Sequence, residues 1–381
     1  MSSQPARKPS PRPVPSRGRL PGGLSHLSAV EGIDRSWRIL QGDSLTLLGD
    51  LPPESVDAMI CDPPYGIDLQ GRAWDGRAIR ESAATTSTRR RLTSNQAYQE
   101  WAYSWATACL ELLRPGGHLV AFGSPRTFHR LAAGLEDAGL ELRDTLMWVY
   151  ASGMPKSRRL PGGRGTTLKP AWEPILLARK KPLTTIKETL RQHGTGALNI
   201  DACRIGERWP ANVLLSHHER CTSESCAPGC AVALTDQADR RSHATVPASR
   251  LFFSAKVSRE ERDAGCEHLP ASELNLFPNA QDQEPAVARN PHPTVKPIEL
   301  MRWLVRLASP EHGLVLDPFC GSGSTGIAAR LEGRLFLGIE REPPYIPIAR
   351  ARIAHWTKTA THEPGEAQTT VPLAPKRKRR R

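Results

Sequence analysis

Leu314-Val315-Leu316-Asp317-Pro318-Phe319-Cys320-Gly321-Ser322-Gly323-Ser324-Thr325 is the stretch whose reading decides the fold. A short apolar run ends in an acid, and a glycine-rich turn leads into what reads as a helix. A second stretch, Ala58-Met59-Ile60-Cys61-Asp62-Pro63-Pro64-Tyr65, ends in the same way, with a rigid Pro-Pro turn and an aromatic ring. A buried parallel strand delivers a carboxylate to the ligand-binding edge of an open α/β sheet in this manner. Two such strand ends, far apart in one chain, predict an α/β fold with a mostly parallel sheet.

The neighbouring segments fit that expectation. Arg38-Ile39-Leu40 reads as a strand leading to Gly42-Asp43-Ser44, and a helical turn follows over Leu45 to Leu51. Trp74 to Asn95 is polar and Arg-rich and reads as a mobile loop. Tyr98 to Leu113 is an amphipathic helix stopped by Arg114-Pro115-Gly116-Gly117. Then come a strand to Gly123, a helix from Phe128 to Ala138 and a strand from Leu142 to Tyr150. Periodicity weakens from Ala151 to Arg289, where only Pro174 to Ala178, Ala211 to Ser216 and Arg250 to Ser254 look like strands. Order returns with a helix over Pro297 to Leu307, the strand ending at Asp317, a helix over Ser324 to Leu331, a strand ending at Glu340 and a helix over Ile346 to Trp356. Glu342-Pro343-Pro344-Tyr345 repeats the Pro-Pro-Tyr pattern but reads as a helix start, where proline is common.

The chain has 381 residues and a formal net charge of +13, which favours a polyanionic partner. No run approaches the roughly 18 apolar residues of a membrane span, so no membrane partner is expected. The start of the chain is basic but lacks an apolar h-region, so it does not read as a secretory signal. The eight cysteines read as reduced thiols of a cytoplasmic protein rather than a disulfide framework. Residues 1–24 and 359–381 read as disordered basic termini, the second ending in Lys376-Arg377-Lys378-Arg379-Arg380-Arg381. That tail is either a non-specific DNA tether or a solvated terminus.

The series Gln41-Gly42-Asp43-Ser44, then Asp57-Ala58-Met59-Ile60, then Asp62-Pro63-Pro64-Tyr65 resembles the opening of the N4/N6 DNA amino-methyltransferases. His292-Pro293-Thr294-Val295-Lys296-Pro297, a helix, Leu316-Asp317-Pro318-Phe319-Cys320-Gly321-Ser322-Gly323 and Gly338-Ile339-Glu340 resemble that family's other half. Catalytic half first and cofactor half last is the family's β-class order. It implies a Rossmann-like sheet, circularly permuted, with a loop-rich inserted module. The halves would occupy residues 37–150 and 290–358, and the insert residues 151–289 would carry target recognition. Segments within the insert, among them Gly153-Met154-Pro155-Lys156-Ser157 and Arg208-Trp209-Pro210-Ala211-Asn212, resemble phage and prophage modification enzymes.

The resemblance implies S-adenosylmethionine as cofactor. Thr294, Lys296, Asp317, Phe319, Gly321, Gly323 and Glu340 would line its pocket, with Asp43 toward its adenine. Glu340 closes a strand and suits two ribose hydroxyls. Methylating an exocyclic amine requires its lone pair to be freed from ring conjugation. Asp62 and the Pro63 carbonyl can both accept hydrogen bonds from the NH₂ and aim that lone pair. Pro63 and Pro64 hold the turn rigid, and Tyr65 offers a face on which an extruded base can stack. The amine nitrogen is itself the nucleophile, so no cysteine nucleophile is needed.

The expected partner is double-stranded DNA in a bacterial or phage-infected cell, and the family admits a homodimer and a cognate restriction endonuclease. Asp at position 62 leans toward adenine N6 over cytosine N4, because members acting on cytosine often have Ser there. A non-catalytic DNA-binding protein, or methylation of RNA or a protein glutamine, are the other readings. Arg158, Arg159, Arg164 and Arg204 could meet phosphates or guanine edges, or serve solubility alone. His217, Cys221, Cys226 and Cys230 make a complete tetrahedral zinc set, with reduced thiols as the alternative reading.

Overall fold

The computed structural model describes residues 29–32, 35–86, 92–150, 160–168, 170–204, 209–216, 221, 226–227, 230, 232–233, 257–274 and 286–360. The basic stretches 1–24 and 361–381, Arg158 and Arg159, His217 and the expected strand from Arg250 to Ser254 lie outside these residues.

In chain order the strands are β1 (Ala29–Glu31), β2 (Trp37–Gln41), β3 (Val56–Cys61), β4 (Leu113–Phe122), β5 (Glu141–Val149), β6 (Trp172–Arg179), β7 (Val213–Leu215), β8 (Ser272–Leu274), β9 (Ala286–Ala288), β10 (Leu314–Asp317) and β11 (Leu335–Glu340). Nine of them form one sheet in the order β1-β2-β11-β10-β3-β4-β6-β5-β7, and β8 pairs with β9 apart from it. The run β2-β11-β10-β3-β4 is parallel throughout. β6 is antiparallel to both β4 and β5, while β7 lies parallel to β5. The permuted, mostly parallel sheet expected from the two motifs is present, with the late strands β10 and β11 seated between the early strands β2 and β3.

Side chains alternate across the sheet, as a two-residue period requires. Met59 and Cys61 of β3 enter one core with Trp105 and Leu131, from the helices Ser94–Leu112 and Phe128–Asp137. Ile60 enters the opposite core with Leu304 and Ile327, from the helices Ile298–Ala308 and Ser324–Leu331. Both faces are thus covered, which is why the central strands are apolar without alternation. Thr93 caps the helix Ser94–Leu112 through a reciprocal pair with Gln96, and its Tyr98, Trp101, Trp105 and Cys109 recur at helical spacing on the buried face. Asp57 of β3, paired with Arg114 of β4 at 3.3 Å, accepts the Leu314 N–H of β10 at 2.8 Å and so ties the two halves together.

Three expectations are corrected. The stretch read as a mobile loop contains the helix Arg77–Thr86, which buries only Ile79 and Ala83. The boundary at residue 150 does not hold for the sheet. β6, which read as part of the insert, lies between β4 and β5, and β7 extends the same edge. Arg114-Pro115-Gly116-Gly117 does not separate helix from strand as a loop, because β4 begins at Leu113, directly after the helix.

Candidate active site

The sheet order reverses at the junction of β10 and β3. Chain leaving β10 passes through the helix Ser324–Leu331, and chain leaving β3 passes through the helix Ser94–Leu112, on opposite faces. Such a switch point opens a crevice at the carboxyl edge. Asp317 and Asp62 both stand there, just past the paired rung Leu316↔Met59. The crevice is a cavity of about 360 Å³. Asp43, Asp62, Pro63, Pro64, Tyr65, Thr294, Lys296, Asp317, Phe319, Gly321 and Glu340 all line it. Gly323 does not: it sits at the N-terminus of the helix Ser324–Leu331 with φ +81°, and a Cβ there would come within 3.1 Å of the Ala349 backbone. Its glycine is needed for close packing on a helix rather than for a ligand.

At the Asp62 end, five side chains form one cluster around the buried Lys296. Lys296 Nζ lies 2.6 Å from Asp62 Oδ2 and 3.4 Å from Glu173 Oε2. The Tyr65 hydroxyl donates to Asp62 Oδ1 at 2.7 Å and lies 3.2 Å from Glu173 Oε2. Tyr150 donates to Glu173 Oε1 at 3.2 Å. Burial raises the Asp62 carboxyl and the Glu173 charge adds to this, while the Lys296 ammonium works against both. Burial acts to lower the Lys296 pKa, but the Asp62 and Glu173 charges prevail and raise it. Lys296, expected at the cofactor, therefore directs its ammonium at Asp62. The ammonium also lies 4.8 Å from the Phe122 ring centroid.

The Gly-rich end is braced by its own acids. Asp317 Oδ1 accepts the Phe319 N–H at 2.9 Å, and Oδ2 accepts the Thr325 hydroxyl at 2.6 Å. Strand end, turn and helix start are thereby tied together, and burial pushes the Asp317 carboxyl up to about 7. Glu340 accepts the N–H of Gly321 at 2.6 Å and of Glu342 at 2.7 Å. Gly321 has φ +51°, and a side chain there would strike the buried His292 ring. Phe319 packs against Trp101 and Trp105, with ring centroids 5.6 and 5.4 Å away. Asp43 caps the helix Ser44–Leu47 by accepting the Leu45 N–H at 3.0 Å, and Ser44 donates to the Pro318 carbonyl. Tyr345 starts a helix, as expected of the second Pro-Pro-Tyr, and also lines the cavity.

Two site residues escaped sequence reasoning. Glu173 lies at the start of β6, and nothing in its spacing pairs it with Lys296. Asp75 is buried and accepts the backbone N–H groups of Tyr65, Gly66, Ile67 and Leu69. With Thr127 donating to the Tyr65 carbonyl at 2.7 Å, the loop after Pro64 is held from both sides. Amide partners leave no mark on side-chain pattern, so no sequence signal announces Asp75.

Of the expected zinc set, Cys221, Cys226 and Cys230 lie together, with their sulfurs within 4.8 Å of one another, and His217 is outside the described residues. Arg204 is engaged locally, by Asp201 at 2.6 Å and by the Trp209 ring. Among the described residues no helix is long and apolar enough to cross a membrane.

Comparison with known proteins agrees with this geometry. The chain is 25% identical over 354 residues to the type II methyltransferase M.HindIII of Haemophilus influenzae, covering 83% of this chain and 94% of that protein. It is 21% identical over 315 residues to the type II methyltransferase M2.LlaDCHI of Lactococcus lactis subsp. cremoris, covering 83% and 88%. Among solved structures, the PvuII DNA methyltransferase (cytosine-N4-specific) shares the fold with a TM-score of 0.52 at 17% identity, covering 91% of this chain and 95% of that one. The N6/N4 DNA methylase model matches residues 56–351, from the start of β3 into the last helix, and the chain accordingly belongs to that family of DNA methylases.

Proposed function

We propose that this protein is a site-specific DNA methyltransferase acting on the exocyclic N6 amine of adenine, with S-adenosylmethionine as methyl donor. The observation that carries the reading is an aspartate, not a serine, at position 62, half-buried beside the Pro63-Pro64 turn in the cavity that also holds the Gly-rich turn. The cavity fits the cofactor. Phe319 and Ile339 give it an apolar wall, and Glu340 puts a carboxylate at a strand end.

S-adenosylmethionine, when bound, supplies an electrophilic methyl group on a sulfonium. The work of the chain is to prepare the amine. An ionised Asp62 accepts one N–H and the Pro63 carbonyl the other, drawing the nitrogen toward tetrahedral geometry. Lys296 favours the ionised form of Asp62 inside a site whose burial opposes it. After transfer the amine sheds a proton, and Asp62 is placed to take it. Cys61 and Cys320 border the site, but burial raises both thiols far above neutrality, so neither offers a thiolate for a covalent route. On this reading target recognition lies in the insert, residues 151–289, outside the sheet strands β6 and β7.

The test is expression in a host without its own DNA methylation, followed by nucleoside mass spectrometry and single-molecule sequencing. N6-methyladenine at one recurring site is expected, absent with Asp62→Ala. N4-methylcytosine instead would move the substrate to cytosine. Neither base above the Asp62→Ala background would refute the enzyme.

A further inference from the structure

We propose that Cys221, Cys226 and Cys230 are three thiolate ligands of a structural zinc ion outside the methyl-transfer cavity. None of the three lines that cavity. Their sulfurs lie within 4.8 Å of one another, and none of the eight cysteines is in a disulfide. A tetrahedral zinc–thiolate centre with bonds of about 2.3 Å places its sulfurs roughly 3.8 Å apart, so about 1 Å of adjustment closes the shell. A disulfide accounts for the arrangement less well, since it would join two sulfurs at about 2.0 Å and leave the third beside them.

The backbone around the cluster is arranged for thiolates. The Ala227 N–H donates to Cys221 Sγ at 3.2 Å. Such an amide contact stabilises negative charge on sulfur and orients the ligand, as outer partners of metal sites do. The Cys230 N–H returns to the Ala227 carbonyl at 3.1 Å, closing a turn that carries Cys226 and Cys230 to one place. Cys230 is fully buried, Cys221 half-buried and Cys226 exposed, so the site opens to solvent on one side and is seated in protein on the other. Three soft sulfur donors in one spot select zinc over harder cations. The segment leaves the sheet edge at β7 and buries little beyond Val232 among its described residues. Metal-binding free energy there becomes folding free energy for a region with little core of its own.

The experiment is metal analysis of the purified full-length protein, without a histidine tag, by plasma mass spectrometry, followed by cobalt substitution. One zinc per chain is expected, with a cobalt–thiolate charge-transfer band in the near ultraviolet. Cys226→Ser, at the exposed ligand, should lose the metal and the band while retaining S-adenosylmethionine binding. Should that variant fail to fold, the wild-type metal content and cobalt spectrum decide alone. Wild-type protein with no zinc and no thiolate band would overturn the proposal. So would metal retained undiminished when Cys221, Cys226 and Cys230 are each replaced by Ser.

Discussion

Lys296→Met removes the one cation hydrogen-bonded to Asp62, and its effect can be worked out from the structure. The ammonium sits 2.6 Å from Asp62 Oδ2. At an effective dielectric of about 20, Coulomb's law gives roughly 6 kcal/mol for that pair. Relaxation and water entry reduce this to the ~3–5 kcal/mol typical of breaking a buried pair. The direction is upward, because burial and the Glu173 charge already raise the Asp62 carboxyl and Lys296 opposes both. A protonated Asp62 donates where it should accept. The acid limb of the pH profile of kcat/KM should therefore move to higher pH, with partial recovery of activity in alkali. Lys296→Arg, which keeps the charge, should move it far less. Methyl incorporation into DNA across the pH range, with cofactor affinity measured alongside, is the assay. An unmoved acid limb would refute the electrostatic role. A large loss of cofactor affinity at constant pH profile would return Lys296 to the cofactor pocket.

Glu340→Ala should weaken S-adenosylmethionine binding by about 1–3 kcal/mol through unpaired ribose hydroxyls, and unchanged calorimetric affinity in a folded variant would place the ribose partner elsewhere. Asp317 holds its proton to about pH 7 in the folded state, against an ordinary value of 3.8. Native protein thus binds the proton more tightly, and stability present at low pH is lost as pH rises toward 7, by about 4 kcal/mol at most. Asp317→Asn should flatten that slope in thermal midpoints between about pH 4.5 and 8, and an unaltered slope would contradict the assignment. Asp75→Ala strips the acceptor from four backbone amides, so turnover should fall sharply with cofactor affinity intact. Full turnover in the folded variant would remove Asp75 from any part in setting the Tyr65 loop.

What was legible in the sequence was what side-chain pattern encodes. The runs ending at Asp62, Asp317 and Glu340 announce themselves because strands buried on both faces read as unbroken apolar stretches. Ten residues lining the cavity lie at those strand ends or in the Thr294–Lys296 motif, and Asp43 follows the strand that ends at Gln41. The helix Arg77–Thr86 was hidden because it turns so little apolar surface inward. The strand at β6 was expected from Pro174 to Ala178, but not its place between β4 and β5, which is set by pairing that side-chain pattern does not encode. The true aim of Lys296 depends on two acids more than a hundred residues away in sequence, Asp62 and Glu173, and no spacing rule reaches that far.

The seating of β10 and β11 between β2 and β3 has a consequence for synthesis. A chain emerging from the ribosome in order presents β2 and β3 more than two hundred residues before the two strands that fill the gap between them. Until residue 340 is free of the exit tunnel, both strands keep an unpaired parallel edge, the kind of surface that recruits neighbouring chains. Pairing across so long a separation is slow and comes late. The cavity, whose two walls belong to opposite ends of the chain, comes into being only at that last step. No unfinished chain can carry a working site.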